Sequence, residues 1–191
     1  MAGGARWLQI RAKTVPGGAF LDLAIRIREI AHAGGAILVV NDRADIAHLA
    51  GADGVHVGQD DLSPVAARAI AGAGAVVGFS THTEAQIDAA VAQPVSYIAV
   101  GPVFGTATKD TGYTRVGPEL VRYAAAAIAR GASSSGPSAG AVEIVAIGGI
   151  TLDRAADIIR AGATAVAVIT DLLTTGDPES RVRAYLARLA E

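Results

Sequence analysis

Apolar and polar positions alternate in blocks along this chain. Short apolar runs of β character recur near Trp7–Arg11, Ala36–Val40, Gly54–Val57, Ala75–Phe79, Tyr97–Val100, Glu143–Ile147 and Ala165–Ile169, which predicts seven strands. Between them lie longer stretches of helical period, the pattern of βα units around a parallel sheet. In the first of these, Phe20, Leu23, Ile27 and Ile30 recur on one face, and Gly34-Gly35 ends the helix. Further helices are predicted after Pro64, Pro118 and Pro178, each proline near a first turn, where its missing N–H leaves no bond unmade. The stretch GASSSGPSAG, Gly131 to Gly140, has the composition of a flexible surface loop. It falls inside one βα repeat, so residues 1–191 are expected to form a single catalytic domain.

Regularly spaced βα units either close into most of a (β/α)8 TIM barrel or lie open as a doubly wound sheet. No Gly-rich dinucleotide fingerprint follows the first strand, which favours the barrel. Composition agrees: 191 residues can bury one substantial core, and a hydrophobic share of 51% with 4% aromatic makes that core mostly Ala, Val, Ile and Leu. Such small side chains suit close packing of helices on a sheet. A net charge of -2 without any Lys/Arg run predicts neither a nucleic-acid groove nor attraction to an anionic membrane. With no cysteine, disulfides, thiolate metal sites and a Cys nucleophile are excluded together. No apolar run reaches the ~18 residues of a membrane span and no signal-peptide pattern opens the chain, so a soluble cytoplasmic protein is expected.

Polar residues gather where the predicted strands end, which is where a barrel places its chemistry. Gln9, Arg11 and Lys13 alternate along the first run, and the pleat of a strand points alternate residues to one face. Asn41-Asp42 follows the second strand, His56, Gln59 and Asp61 come at and after the third, and Ser80 and His82 follow the fourth. Thr106, Thr108 and Lys109 follow the fifth, Gly148-Gly149 the sixth and Thr170-Asp171 the seventh. Singly, each has an ordinary reading: Asn41-Asp42 as a strand-end turn, Gln59 to Asp61 as a solvated turn, Gly148-Gly149 as a left-handed turn. His82 reads as a residue in the first turn of a helix beginning near Thr81. Collectively they load one rim with Lys, Arg, Thr, Asn and Asp, which an inert scaffold does not require.

Those residue types suit phosphate. Thr106 and Thr108 offer hydroxyls and backbone N–H groups, Lys13 and Lys109 offer point charges, and Arg11 offers a planar fork for two oxygens. Asp42 and Asp61 are hard oxygen ligands suited to Mg2+, which takes one or two carboxylates and completes its shell with water and substrate phosphate. Gly149 after a strand lets a phosphate approach a backbone amide.

The segments QIRAK, VNDRADIA, GADGVHVGQDDL, VGFSTHT, VGPVFGTATK and IVAIGGI, in this order and spacing, resemble the thiamine-phosphate synthase family over nearly the whole chain. The resemblance implies a (β/α)8 barrel that uses Mg2+ to join an aminomethylpyrimidine diphosphate to a thiazole phosphate, giving thiamine phosphate and pyrophosphate. Carried over by position, it implies that Gln9, Arg11, Lys13, Asn41 and Lys109 hold the pyrimidine diphosphate, and that Asp42 and Asp61 ligate the metal. Ser80 would lie beside the pyrimidine, and Thr106, Thr108, Gly149, Ile169 and Thr170 would hold the thiazole phosphate. Ser80, Lys109 and Arg11 are the residues expected nearest the reaction. The expected partners are the two small substrates, with no nucleic acid and no membrane; self-association is left open.

The chain departs from the family pattern in places. Ala12 stands where the first motif usually has Glu, Gly105 where Pro usually precedes the threonines, and VITDLL where Ser then Ala is commoner, so that Asp171 brings a negative charge beside a phosphate position. In the family a strand and helix precede QIRAK, whereas only MAGGAR precedes Trp7, so the expectation is a barrel lacking its first βα unit, with exposed edges at its first and last strands. Two alternatives share the fold: a thiazole tautomerase-like relative, which uses a His at the position of His82 as acid and base, and a non-catalytic phosphate-binding barrel.

Overall fold

The computed structural model describes residues 1–105, 114–132 and 141–190. Seven strands occur among them: β1 (Trp7–Ile10), β2 (Ile37–Asn41), β3 (Gly54–Val57), β4 (Val76–Thr81), β5 (Tyr97–Val100), β6 (Glu143–Ile147) and β7 (Ala165–Ala167). Each falls on a predicted run. Seven α-helices alternate with them: α1 (Gly17–Ala33), α2 (Ala44–Ala50), α3 (Pro64–Ala71), α4 (Glu84–Val91), α5 (Gly117–Ala132), α6 (Leu152–Arg160) and α7 (Pro178–Leu189). A 3-10 turn, Thr170–Leu173, follows β7.

Two compact units are present, Met1–Phe79 and Ser80–Glu191. In the first, β1, β2, β3 and β4 pair in parallel and in chain order, with Asn41 level with His56 and Val57 level with Phe79. In the second, β5, β6 and β7 pair in the same sense, with Val100 level with Ala146 and Ile147 level with Ala167. Parallel strands covered on both faces need continuous apolar runs. The side chains of Leu38, Val39, Val40, Val55 and Val57 are accordingly fully buried in the first unit, and those of Ile98, Val100 and Ala146 in the second. By contrast β1 and β7, each with a single strand partner among the described residues, carry exposed residues: Trp7 and Gln9 on β1, Ala165 and Ala167 on β7.

Helix boundaries follow local chemistry. Pro64 and Pro178 open α3 and α7, where the Ser63 hydroxyl and the Asp177 carboxylate accept from the N–H groups of Ala66 and Ser180. At the end of α1, Gly35 takes a left-handed φ of 69° while Ala36 donates back to the Ala31 carbonyl, the termination that the glycine pair predicts. The predicted face of α1 is corrected in part: Phe20, Ala24 and Ala31 are buried, whereas Leu23 and Ile30 are exposed. Alanines let the helix approach the sheet closely, so the larger residues mark only one edge of the packed face. The predicted loop at Gly131 begins inside α5, and its residues 133–140 lie outside those described.

Candidate active site

The C-terminal ends of β2 and β3 build the first cluster. Their parallel register brings Asn41 and His56 level, and the Asp42 N–H donates to the His56 carbonyl at 2.7 Å. That bond holds Asp42 at φ 65°, a left-handed conformation that Asp tolerates better than most residues. The turn directs the Asp42 carboxylate to Lys13, whose Nζ lies 3.0 Å from Oδ2. Both residues line a cleft of about 220 Å³ together with Ala12, Val15, Phe20, Asn41 and Arg43. Asn41 is 7% exposed, so its amide is a buried polar group facing a cavity rather than a solvated turn residue. Asp61 lies just beyond β3 on an exposed turn, its Oδ2 accepting from the Gly58 N–H at 2.8 Å.

The structure thus brings Lys13, Asn41 and Asp42 together, while Gln9 and Arg11 are exposed and lie outside the cleft lining. Strand β1 ends at Ile10, so its pleat does not extend to Arg11 and Lys13; Lys13 enters the cleft from the segment after the strand. Arg43 was not singled out by sequence. It lines the same cleft, and its guanidinium forks onto the Asp45 carboxylate, with Nε 2.8 Å from Oδ1.

In the second unit, Ser80 and His82 are both buried at the end of β4. His82 precedes α4 rather than standing in its first turn: Thr83 is the cap, accepting from the Gln86 N–H, and the His82 N–H donates to Gln86 Oε1 at 2.7 Å. The His82 ring is engaged too, with Nδ1 2.5 Å from the Gly101 carbonyl. A carbonyl can only accept, so the proton of the neutral ring sits on Nδ1.

The loops after β5 and β6 pack on each other. Val103 and Phe104 donate backbone bonds to Ile147 and Gly148, and Val116 and Gly117 donate to Pro102 and Val103. Gly149 has φ 63°, and a Cβ there would collide with the Gly105 carbonyl and the Phe104 side chain. Packing against the β5 loop therefore already requires this glycine. The Arg154 guanidinium stacks 4.6 Å from the Phe104 ring centroid, a cation that sequence reading also passed over. Thr106, Thr108 and Lys109 lie outside the described residues. Ile169 and Thr170 are exposed, with Thr170 opening the 3-10 turn.

Asp171 does not add a bare charge beside Thr170. Its Oδ2 accepts from the Tyr185 hydroxyl at 2.6 Å, from Arg181 Nη2 at 2.9 Å, from Arg181 Nε at 3.1 Å and from the Leu152 N–H at 3.2 Å, and its Oδ1 accepts from Arg181 Nη2 at 3.1 Å. Burial pushes the carboxyl up, but the bonds from Tyr185 and Arg181 and the guanidinium charge outweigh it, leaving Asp171 below the ordinary carboxylate value.

Parallel strands alternating with helices, and polar side chains gathered where β2 and β3 end, define the class: a TIM-barrel-like α/β protein. The thiamine monophosphate synthase family pattern matches residues 1–172, and the chain belongs to that family. Over 189 residues it is 40% identical to the thiamine-phosphate synthase of Gloeobacter violaceus, covering 99% of this chain and 52% of that protein. It is 39% identical over 189 residues to the thiamine-phosphate synthase of Methanoculleus marisnigri, covering 99% of this chain and 84% of the other. The chain therefore spans about half the length of the first relative and most of the second. Thiamine phosphate pyrophosphorylase from Pyrococcus furiosus matches in structure with a TM-score of 0.84 at 25% identity, covering 99% of this chain and 85% of that one.

Proposed function

We propose that this chain couples 4-amino-2-methyl-5-(diphosphooxymethyl)pyrimidine to a thiazole phosphate in thiamine biosynthesis. In this step a C–N bond forms from the thiazole nitrogen to the pyrimidine methylene carbon. The C–O bond to the diphosphate breaks, and pyrophosphate leaves with the electron pair. The observation that carries the reading is the Lys13–Asp42 pair at 3.0 Å beside buried Asn41, a cation and a hard carboxylate in one cleft, within a chain of this family. Lys13 and Asn41 hold the diphosphate oxygens, and Ser80 faces the pyrimidine. Gly149 and Thr170 hold the thiazole phosphate through backbone N–H groups and a hydroxyl.

Mg2+ fits the donors present. Among the described residues no three His, Asp or Glu side chains cluster to hold a metal, and Mg2+ needs only one or two protein carboxylates; Asp42 in the cleft would hold it, with Asp61 on the turn after β3 as the second candidate. Bound there, the ion would supply positive charge to offset that of the leaving pyrophosphate. The electron-rich pyrimidine supports the methylene cation, so the protein's part is to position and to stabilise charge, with no general base required.

Titration calorimetry tests the reading. The pyrimidine diphosphate should bind with Mg2+, binding should weaken in Asp42→Asn, and adding thiazole phosphate should bring turnover heat. Binding without turnover would instead favour a phosphate-binding barrel.

A further inference from the structure

Asp171 departs from the family pattern, and the structure gives it a full set of donors drawn from two other elements. The Leu152 N–H it accepts belongs to the first turn of α6, whose N-cap residue Thr151 makes no side-chain capping bond, so Asp171 caps that helix from outside. Arg181 and Tyr185 lie one turn apart on α7 and reach the same carboxylate. Tyr185 is buried, and its hydroxyl, with one proton to give, is 2.6 Å from Asp171 and 3.4 Å from the Ile150 carbonyl. The ion pair is mostly shielded, with side-chain exposures of 22% for Arg181 and 11% for Asp171.

The network thus ties together two backbone segments. One is Gly149–Leu152, after β6; the other is Ile169–Asp171, after β7. The first contains Gly149 and the second Thr170, both assigned above to the thiazole phosphate, so the spacing between them is held by these side chains. We propose that Asp171, anchored by Arg181 and Tyr185, is a positioning residue for the thiazole phosphate, fixing Thr170 relative to Gly149. This rests on the synthase reading of the site. Its negative charge does not oppose the ligand, because the guanidinium fork neutralises it and the carboxylate is spent on α6 and α7.

The test is steady-state kinetics on the wild type, Asp171→Ala, Asp171→Asn and Tyr185→Phe, with calorimetric binding of the thiazole phosphate as a readout independent of turnover. Because misplacing a ligand group by about an ångström costs rate and affinity steeply, Asp171→Ala should raise KM and Kd for the thiazole phosphate by roughly 10- to 100-fold. KM for the pyrimidine diphosphate should not change. Tyr185→Phe removes one bond, and Asp171→Asn keeps acceptor oxygens, so both should fold and give smaller shifts in the same direction. Lowered thermal stability with unchanged thiazole-phosphate KM and Kd would overturn the inference, as would equal shifts for both substrates. If the wild type binds the thiazole phosphate but forms no product, the synthase reading fails while the Kd comparison still decides the positioning role. A wild type that does not bind the thiazole phosphate overturns both.

Discussion

Asp42 meets two demands at one position. Its backbone needs a residue that accepts φ 65°, the only positive φ outside glycine among the described residues, and its side chain faces Lys13 in the cleft. Asn tolerates that backbone as well as Asp, so Asp42→Asn should keep thermal stability and lose Mg2+-dependent activity; Asp42→Ala should lose that activity and about 1 kcal/mol besides. Thermal denaturation set beside kinetics separates the two demands, and equal activity of Asp42→Asn with Mg2+ or with chelator would remove the metal role. His82 separates the enzyme readings within the family. A synthase needs no proton transfer there, so His82→Ala should lower thiamine-phosphate formation modestly, whereas a tautomerase would lose nearly everything. Loss of the Nδ1 bond to Gly101 should still cost about 1–3 kcal/mol of stability, because it strands a buried acceptor. Complete loss of synthesis in a folded His82→Ala protein would contradict the mechanism.

At the scale of elements, helix α1 shows what periodicity conveys and what it misses. Phe20 is buried as predicted, and Phe20→Ala should cost about 3–5 kcal/mol. Ile30 is 65% exposed, so Ile30→Ala should fall within about 0.5 kcal/mol in the same denaturation assay. The helices α6 and α7 carry a pH signature through Asp171. Its carboxyl is lowered in the folded state, so the stability it contributes is fully present above the ordinary value of 3.8 and is lost as pH falls through the lowered one. Denaturation followed from neutral pH down to about 2 should show an acid limb that flattens in Asp171→Asn. An identical limb in that variant would mean that other carboxylates set acid stability.

For the whole molecule, the strands were legible because buried parallel strands must be apolar on both faces, leaving runs such as ILVVN and YIAV that mark themselves. Strand-end residues were legible for the same reason: Lys13, Asn41 and Asp42 stand out where an apolar run stops. Other features depend on tertiary contact. Asp171 reads as an unwanted charge until Arg181 and Tyr185, 10 and 14 residues further on, are seen to reach it. His82 reads as a helical residue until its ring is found on Gly101. Arg43 and Arg154 gave no signal because a single arginine in a helix-forming stretch is ordinary in sequence. Among the described residues no helix is long and apolar enough to cross a membrane.

The proposed reaction of this chain joins two phosphate-bearing substrates with release of pyrophosphate. Incubating the purified protein with both substrates, with and without Mg2+, and measuring thiamine phosphate and pyrophosphate tests it most directly. The two products should form in equal amounts, dependent on both substrates and on Mg2+. Pyrophosphate release without thiamine phosphate, or no product while both substrates bind, would contradict it.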